Sequence, residues 1–286
     1  ELALQGRDKL TFLIDPPIES FGLWAEQLIA ESTGKNARGI VPIVDEPAKT
    51  PGDYGQDRVF IHLRVDGAND EHAGLLASAG QPVFTLDTTG PSDLGRLFFL
   101  FEFATAVAGH VLGVNPFDQP NVQEAKDATA AALESGELEV PTDTLDELAQ
   151  LLGGAAPPVY IAIQGYAKPS AGFDEAISEL RELITHRTVA ATTFGYGPRY
   201  LHSTGQLHKG GPPVGRFIQL IHDGERDVAV PEANFTFRSL KHAQAAGDLQ
   251  ALRLHDLPVV RIQLTGADAV SSLRELTGEL RSRLEG

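Results

Sequence analysis

Cysteine and methionine are both missing from the 286 residues. Without thiols the chain has no disulfide framework, no cysteine-based zinc site and no thiol nucleophile. With no Met even at position 1, and with Glu1 as its first residue, the sequence reads as part of a longer protein. Positive charge is also scarce. Lys plus Arg number 23 against 39 Asp plus Glu, a net charge of −16. Such a chain repels a polyanion at long range, which argues against nucleic acid as a partner. A local basic pocket for one small phosphate stays compatible with that balance. A signal-peptide pattern is lacking too. The most apolar stretch, Leu94–Leu112, carries Arg96, Glu102 and His110. Each would cost several kcal/mol in lipid, so the stretch predicts a buried core helix, no membrane partner and a cytoplasmic setting.

What is present suits a globular α/β protein. Hydrophobic residues make up 42% and charged residues 22%, enough for ordinary cores. The length suits two domains of roughly 130–150 residues. Apolar residues at Ile18, Phe21, Ala25, Leu28 and Ile29 have helical spacing, ending at Ser32-Thr33-Gly34. Ile40–Val44, Arg58–Val65 and Pro82–Leu86 read as strands, and Asp70–Ser78 and 93–112 as helices. A further helix spans about 121–135 and carries Val122, Ala125, Ala128 and Leu133, and a short amphipathic one covers Asp143–Leu152. Gly153–Pro158 (GGAAPP) is the best linker. Beyond it strands are predicted at Val159–Tyr166, Thr188–Phe194, Arg216–His222 and Val259–Leu264. Helices are predicted at Ala171–Thr185, at 239–246 stopping on Gly247, and at 268–284. Alternating strands and helices imply a doubly wound α/β architecture, mostly parallel sheets with helices on both faces. The expected division is 1–152 and 159–286. In such sheets ligands sit at the carboxyl ends of strands.

Three segments concentrate chemistry. Ala30–Lys35 (AESTGK) combines Glu31, the hydroxyls of Ser32 and Thr33, a glycine and Lys35. It reads equally as a solvated helix end. Asn115–Pro120 (NPFDQP) leads into Glu124-Ala125-Lys126. Gln119 and Lys126, seven apart, would share one helix face, while Asp118 or Gln119 would serve as a plain helix cap. The third runs from Gly195 to Gly211 and gathers Arg199, His202, Gln206, His208 and Lys209 after a strand. Two imidazoles that titrate near neutrality make His202 and His208 acid–base candidates. A metal is not expected, because two His six apart do not share a helix face and no carboxylate is adjacent. Glu31-Ser-Thr-Gly and His202-Ser-Thr-Gly form an internal echo, consistent with one structural unit used twice.

AESTGK at 30–35 and VNPFDQPNVQEAK at 114–126, in this order, resemble two signatures of the glucose-6-phosphate isomerase family. The wording of Phe21–Lys35 and of His202–Gly211 is most similar to the isomerase part of bifunctional transaldolase/glucose-6-phosphate isomerases. The resemblance implies a sugar-isomerase (SIS-like) fold for 1–152, with 159–286 an additional α/β domain. It implies interconversion of glucose 6-phosphate and fructose 6-phosphate through a cis-enediol, without metal or organic cofactor. Glu31 would be the proton-transferring base, with Lys126 assisting ring opening and Gln119 contacting sugar. Ser32, Thr33, Lys35, Arg58, Arg199, Gln206 and Lys209 are the further substrate-contact candidates. Two departures stand out. Asp57 occupies the place of the family's ring-opening His, leaving His202 or His208 as substitutes, and the family's Ser/Thr-rich phosphate loop has no equivalent here. The implied partners are therefore a sugar phosphate and an earlier SIS domain of the same protein, with a transaldolase domain beyond it. Family members are commonly homodimers. The opposing expectation is a sugar-phosphate-binding or scaffolding module that lacks its phosphate-gripping domain.

Overall fold

A computed structural model describes residues 1–120, 129, 133, 141–224 and 226–285. The predicted helix at 121–135 lies outside the described residues apart from Thr129 and Leu133, and so does Lys126. Two four-stranded sheets, each wholly parallel, organise the chain. The first contains β1 (Lys9–Ile14), β2 (Val41–Ile43), β3 (Arg58–Arg64) and β4 (Val83–Asp87) in the order β2-β1-β3-β4. The second contains β5 (Tyr160–Tyr166), β6 (Ala191–Tyr196), β7 (Gly215–Ile221) and β8 (Val259–Gln263) in the order β6-β5-β7-β8. Each sheet thus starts near its middle, steps to one edge and returns to the other side, the doubly wound pattern expected from the alternation.

Helices cover both faces. In the first unit α1 (Phe21–Thr33) and α3 (Leu94–Leu112) pack on one side, and α2 (Asp70–Ser78) on the other. Successive β1 residues show the division, Phe12 facing α1 and α3 while Leu13 joins Phe60, Ala73 and Leu76. Helix α3 is only half a core helix. Leu97, Phe101, Thr105, Gly109 and Leu112 are buried, whereas Phe99, Phe103, Val107 and Val111 on the opposite side are exposed. The expectation of a buried helix holds for its inner stripe alone. By length and composition Pro91–Leu112 would suffice to cross a membrane, but its inner stripe packs on the sheet.

Helix α4 (Leu145–Leu152) packs against the second sheet. A full capping box of Thr144 and Glu147 starts it, and Leu148 and Leu152 pack into the core of the second sheet with α5 (Ala171–Thr188) and α8 (Ala269–Glu285). Asp143 ties the same segment down, exchanging backbone and side-chain hydrogen bonds with Arg261 at 2.7 Å each. On the other face of that sheet lie α6 (Gly205–Gly210) and α7 (Phe237–Leu254). The second helix runs straight through Gly247, the expected stop. Ala243, Ala245, Ala246, Asp248, Leu249, Ala251 and Leu252 are buried around it, so close packing outweighs the roughly 1 kcal/mol cost of a helical glycine.

The two units share a core. Ala30, Val41 and Ile43 of the first pack with Tyr160, Ala162, Leu207, Phe217 and Leu252 of the second. Arg181, buried on α5, fastens the carboxyl end of β2. Its guanidinium donates to Val44 O and Asp45 O on one side, and to Thr192 O on the other. Glu46 accepts from Thr192 N at 2.8 Å and from Arg58 at 3.0 Å. Despite its burial, the cations of Arg58 and Lys49 hold the Glu46 carboxyl down at about 2.

Candidate functional site

Helix α1 runs from the carboxyl end of β1 back towards the start of β2, and α3 does the same after β4. Their last turns therefore meet at the amino ends of the strands, not at the carboxyl ends where the motifs were expected. Glu31 lies in the last turn of α1, half-buried, accepting a 3.3 Å hydrogen bond from Gln27 one turn back. Burial raises its pKa, and Gln27, His202 and Lys35 pull the other way. The carbonyl end of the helix dipole adds to the upward push. A raised carboxyl is a stronger base than an ordinary glutamate, which suits it to take and return a proton.

The chain after Glu31 is tightly fixed. Thr33 turns its hydroxyl onto Ile29 O at 2.7 Å and accepts from Ile40 N, so it serves the turn and is buried. Gly34 is required because any Cβ there would run into the backbone of Leu207 on α6. Residues 35–38 form a tight turn with Asn36 and Ala37 both left-handed at φ 56 and 57. Such a turn ordinarily prefers Asn-Gly. Lys35 is thereby turned inward, 3% exposed, donating to Asn115 O at 2.6 Å and pairing with Asp118 at 3.1 Å. Arg38 also donates to Leu112 O at the end of α3. The first two sequence motifs, eighty positions apart, are thus stitched together through Lys35. Gln119 follows Asp118 on the exposed rim, and Ser32 is half-buried beside Glu31.

The third segment divides. Gln206 is buried and donates to Gly34 O at 2.9 Å, and Gly210 O accepts from Ala37 N, so α6 backs the turn that carries Lys35. His202 is exposed and its charge is felt at Glu31. His208 points the opposite way. It is 4% exposed among the rings of Tyr160, Tyr200 and Phe217, and burial drives its pKa down to about 3. Lys209 is buried as well, 2.7 Å from Asp248, whose second oxygen accepts from Tyr200. Arg58 is fully buried between Glu46 and Thr11, inside the first unit. These three expected site residues are core groups because short α6 and central β3 each show them to the interior. Arg199 is exposed on the far rim, beside the cavity described next. Asp57, in the place of the family's His, is buried 3.5 Å from Lys9. The Ser-Thr-Gly echo does not mark equivalent places. One copy joins β1 to β2 and the other joins β6 to β7, yet the two touch across the units.

Glu26 carried no signal in the sequence beyond its place next to the apolar stripe. It is buried against a cavity of about 230 Å³ between the units, together with Asp45, Arg181, Tyr196 and Arg199. Burial lifts its pKa from 4.5 to about 7, although Arg199 and Arg181 oppose the shift. A carboxyl whose folded pKa is raised stabilises the fold below its unfolded pKa and loses that contribution as pH rises through the folded one. Between about pH 4.5 and 7 this group should cost roughly 3 kcal/mol. Glu26→Gln is expected to flatten that part of the stability profile, read as the difference between urea denaturation of the variant and the parent at pH 5 and pH 8.

No family model matches the chain. Its sequence is similar to curated glucose-6-phosphate isomerases. It is 28% identical over 163 residues to that of Heliobacterium modesticaldum, covering 43% of this chain and 36% of that protein. It is 31% identical over 157 residues to that of Leptospira biflexa, covering 40% and 35%. The chain therefore spans about a third of the length of the curated relatives it matches. Among solved structures, a hypothetical protein of Thermus thermophilus matches with a TM-score of 0.39 and 14% identity, over 97% of this chain and 77% of that one. The C-terminal domain of glucosamine-fructose-6-phosphate aminotransferase from Francisella tularensis matches with a TM-score of 0.30 and 11% identity, over 99% and 87%.

Proposed function

We propose that Glu31 is the base of an aldose–ketose isomerase acting on glucose 6-phosphate and fructose 6-phosphate. The observation that supports this most is a half-buried carboxylate with a raised pKa, set beside Lys35 and His202 at the junction of the two motifs. In the open-chain aldose the Glu31 carboxylate removes the proton from C2 as O1 gains one, giving the cis-enediol. The same carboxyl returns its proton to C1 as O2 loses one, giving the ketose. Atoms and electrons balance within the substrate. His202, an exposed imidazole close enough for its charge to act on Glu31, fits the role of opening the ring and moving the oxygen-bound protons. Lys35 offsets charge on the enediolate oxygen, as a fixed cation in a partly dry site can. Ser32 and Gln119 line the approach, and Lys126 joins them in this reading on the motif alone.

Phosphate is held elsewhere in this account. The chain is the later part of a larger cytoplasmic protein, its phosphate-gripping SIS domain and a transaldolase preceding it, and it acts as a dimer. A coupled assay of the full-length protein, following glucose 6-phosphate formed from fructose 6-phosphate, tests the proposal. Turnover supports it, whereas binding without turnover supports the scaffolding module instead.

A further inference from the structure

Each sheet has a crevice beyond the carboxyl ends of its first and third strands in sequence, where the connections leaving these paired strands run to opposite sides, the place where open α/β sheets bind ligands. In the first unit that crevice is filled from within. Asp15, the residue after β1, accepts from the backbone amides of Val65, Asp66, Gly67 and Asn69 at 2.8–3.2 Å and from the Asn69 side chain at 3.0 Å. Burial alone would raise its pKa, but these donors hold it well below the usual carboxylate range. The first crevice is an anion site occupied by the protein's own carboxylate.

In the second unit the corresponding residue, after β5, is Ala167. Among the described residues no carboxylate fills the crevice, and a cavity of about 750 Å³ opens there between the loops after β5, β7 and β8. Four cations line it: Lys168, Arg226, Arg238 and Lys241. That is unexpected in a chain of net charge −16. The lining acids are engaged locally. Asp223 pairs with His242 at 2.6 Å, Asp227 accepts from Val228 N and Arg238 N, and Asp268 accepts from Ser271 and Val270. Among the described residues Lys168 and Arg226 form no ion pair, and Arg238 Nε is buried without a hydrogen-bond partner. The long helices α5, α7 and α8 all start at this rim, adding their positive ends. His222 forms part of the lining as a neutral imidazole. Gly224 N donates to its Nδ1, so Nε2 carries the proton and donates to Gly266 O at 3.1 Å. One wall is apolar, with Val228 and Phe237 60% and 54% exposed.

We infer that this crevice binds a mononucleotide, its phosphate replacing in the second unit the carboxylate that Asp15 supplies in the first. A bare phosphate would leave most of the cavity empty, while a base laid on Phe237 and Val228 would fill it. The site is remote in sequence and position from Glu31, so the inference stands apart from the isomerase reading. Isothermal titration of the full-length protein at low salt with AMP, GMP, CMP, UMP and inorganic phosphate tests it. At least one nucleotide should bind, more tightly than inorganic phosphate by tenfold or more. The exposed double variant Lys168→Glu/Arg226→Glu should weaken it at least tenfold, and so should Ala167→Asp, which restores the internal carboxylate. Isomerase turnover of both variants should match the parent's. No binding by any of the four nucleotides overturns the inference, as does equal binding by inorganic phosphate or affinity unchanged in the double variant.

Discussion

Glu31→Gln should lower turnover of fructose 6-phosphate by about 10²–10⁴-fold, the range expected when a general base is removed. The amide keeps the shape of the side chain and can still hydrogen-bond with Gln27, but it cannot accept a carbon-bound proton. Lys35 would keep its bonds to Asn115 and Asp118, because none of them passes through Glu31. Sugar-phosphate affinity should therefore change far less than turnover, placing the loss in the chemical step. Since the parent carboxyl is raised by burial, the acid limb of its pH–rate profile should lie above that of an ordinary glutamate. Turnover within a few-fold of the parent would remove Glu31 from the mechanism.

Asp248→Ala should destabilise the protein by about 3–5 kcal/mol, the cost of leaving one partner of a buried ion pair alone. Asp248 is fully buried, and both its oxygens are in use, one 2.7 Å from Lys209 and the other accepting from Tyr200 at 2.6 Å. Tyr166 extends the chain, donating to the Tyr200 hydroxyl at 3.0 Å. Removing the carboxylate leaves an ammonium and a phenol without their acceptor beside His208, which burial keeps neutral and which has no hydrogen-bond partner among the described residues. Lys209→Met combined with Asp248→Leu should recover most of the loss, because an apolar pair strands no charge. Urea midpoints of the two variants measure this. A single-variant cost below about 1 kcal/mol, as for a surface pair, would show that water reaches the network.

How far the sequence revealed the molecule depended on whether a signal was local. Residues 160–166, 58–64 and 83–87 alternate or run apolar over strand length, and the structure has strands there. The central strand β1 escaped notice because Lys-Leu-Thr-Phe-Leu-Ile opens on a lysine. That ammonium is tolerated in mid-sheet only because Asp8 and Asp57 approach it from distant or neighbouring positions. Glycine was a misleading stop at Gly247, where tight helix-to-sheet packing favours it. At the candidate site AESTGK and NPFDQ were legible as chemistry, and Lys35 links them in three dimensions. The inward turn of His208 and Lys209 was not legible, since a six-residue helix has no periodicity that shows its buried side. Glu26 could not be found from α1 alone, for its surroundings include Arg199 and Arg181 of the other unit, whose charges act on it and which line the same cavity.

Hydrogen exchange into product tests the central claim most directly. Fructose 6-phosphate is converted in deuterium oxide by the full-length protein, and the label at C2 of the glucose 6-phosphate formed is read by proton NMR. If one carboxyl carries the proton between the carbons, a share of the hydrogen leaving C1 should be retained at C2, the remainder being solvent deuterium taken up when the carboxyl exchanges before returning it. Glu31→Gln should exchange neither C1 nor C2 hydrogen on the same timescale. Exchange by Glu31→Gln at the parent's rate would contradict the account.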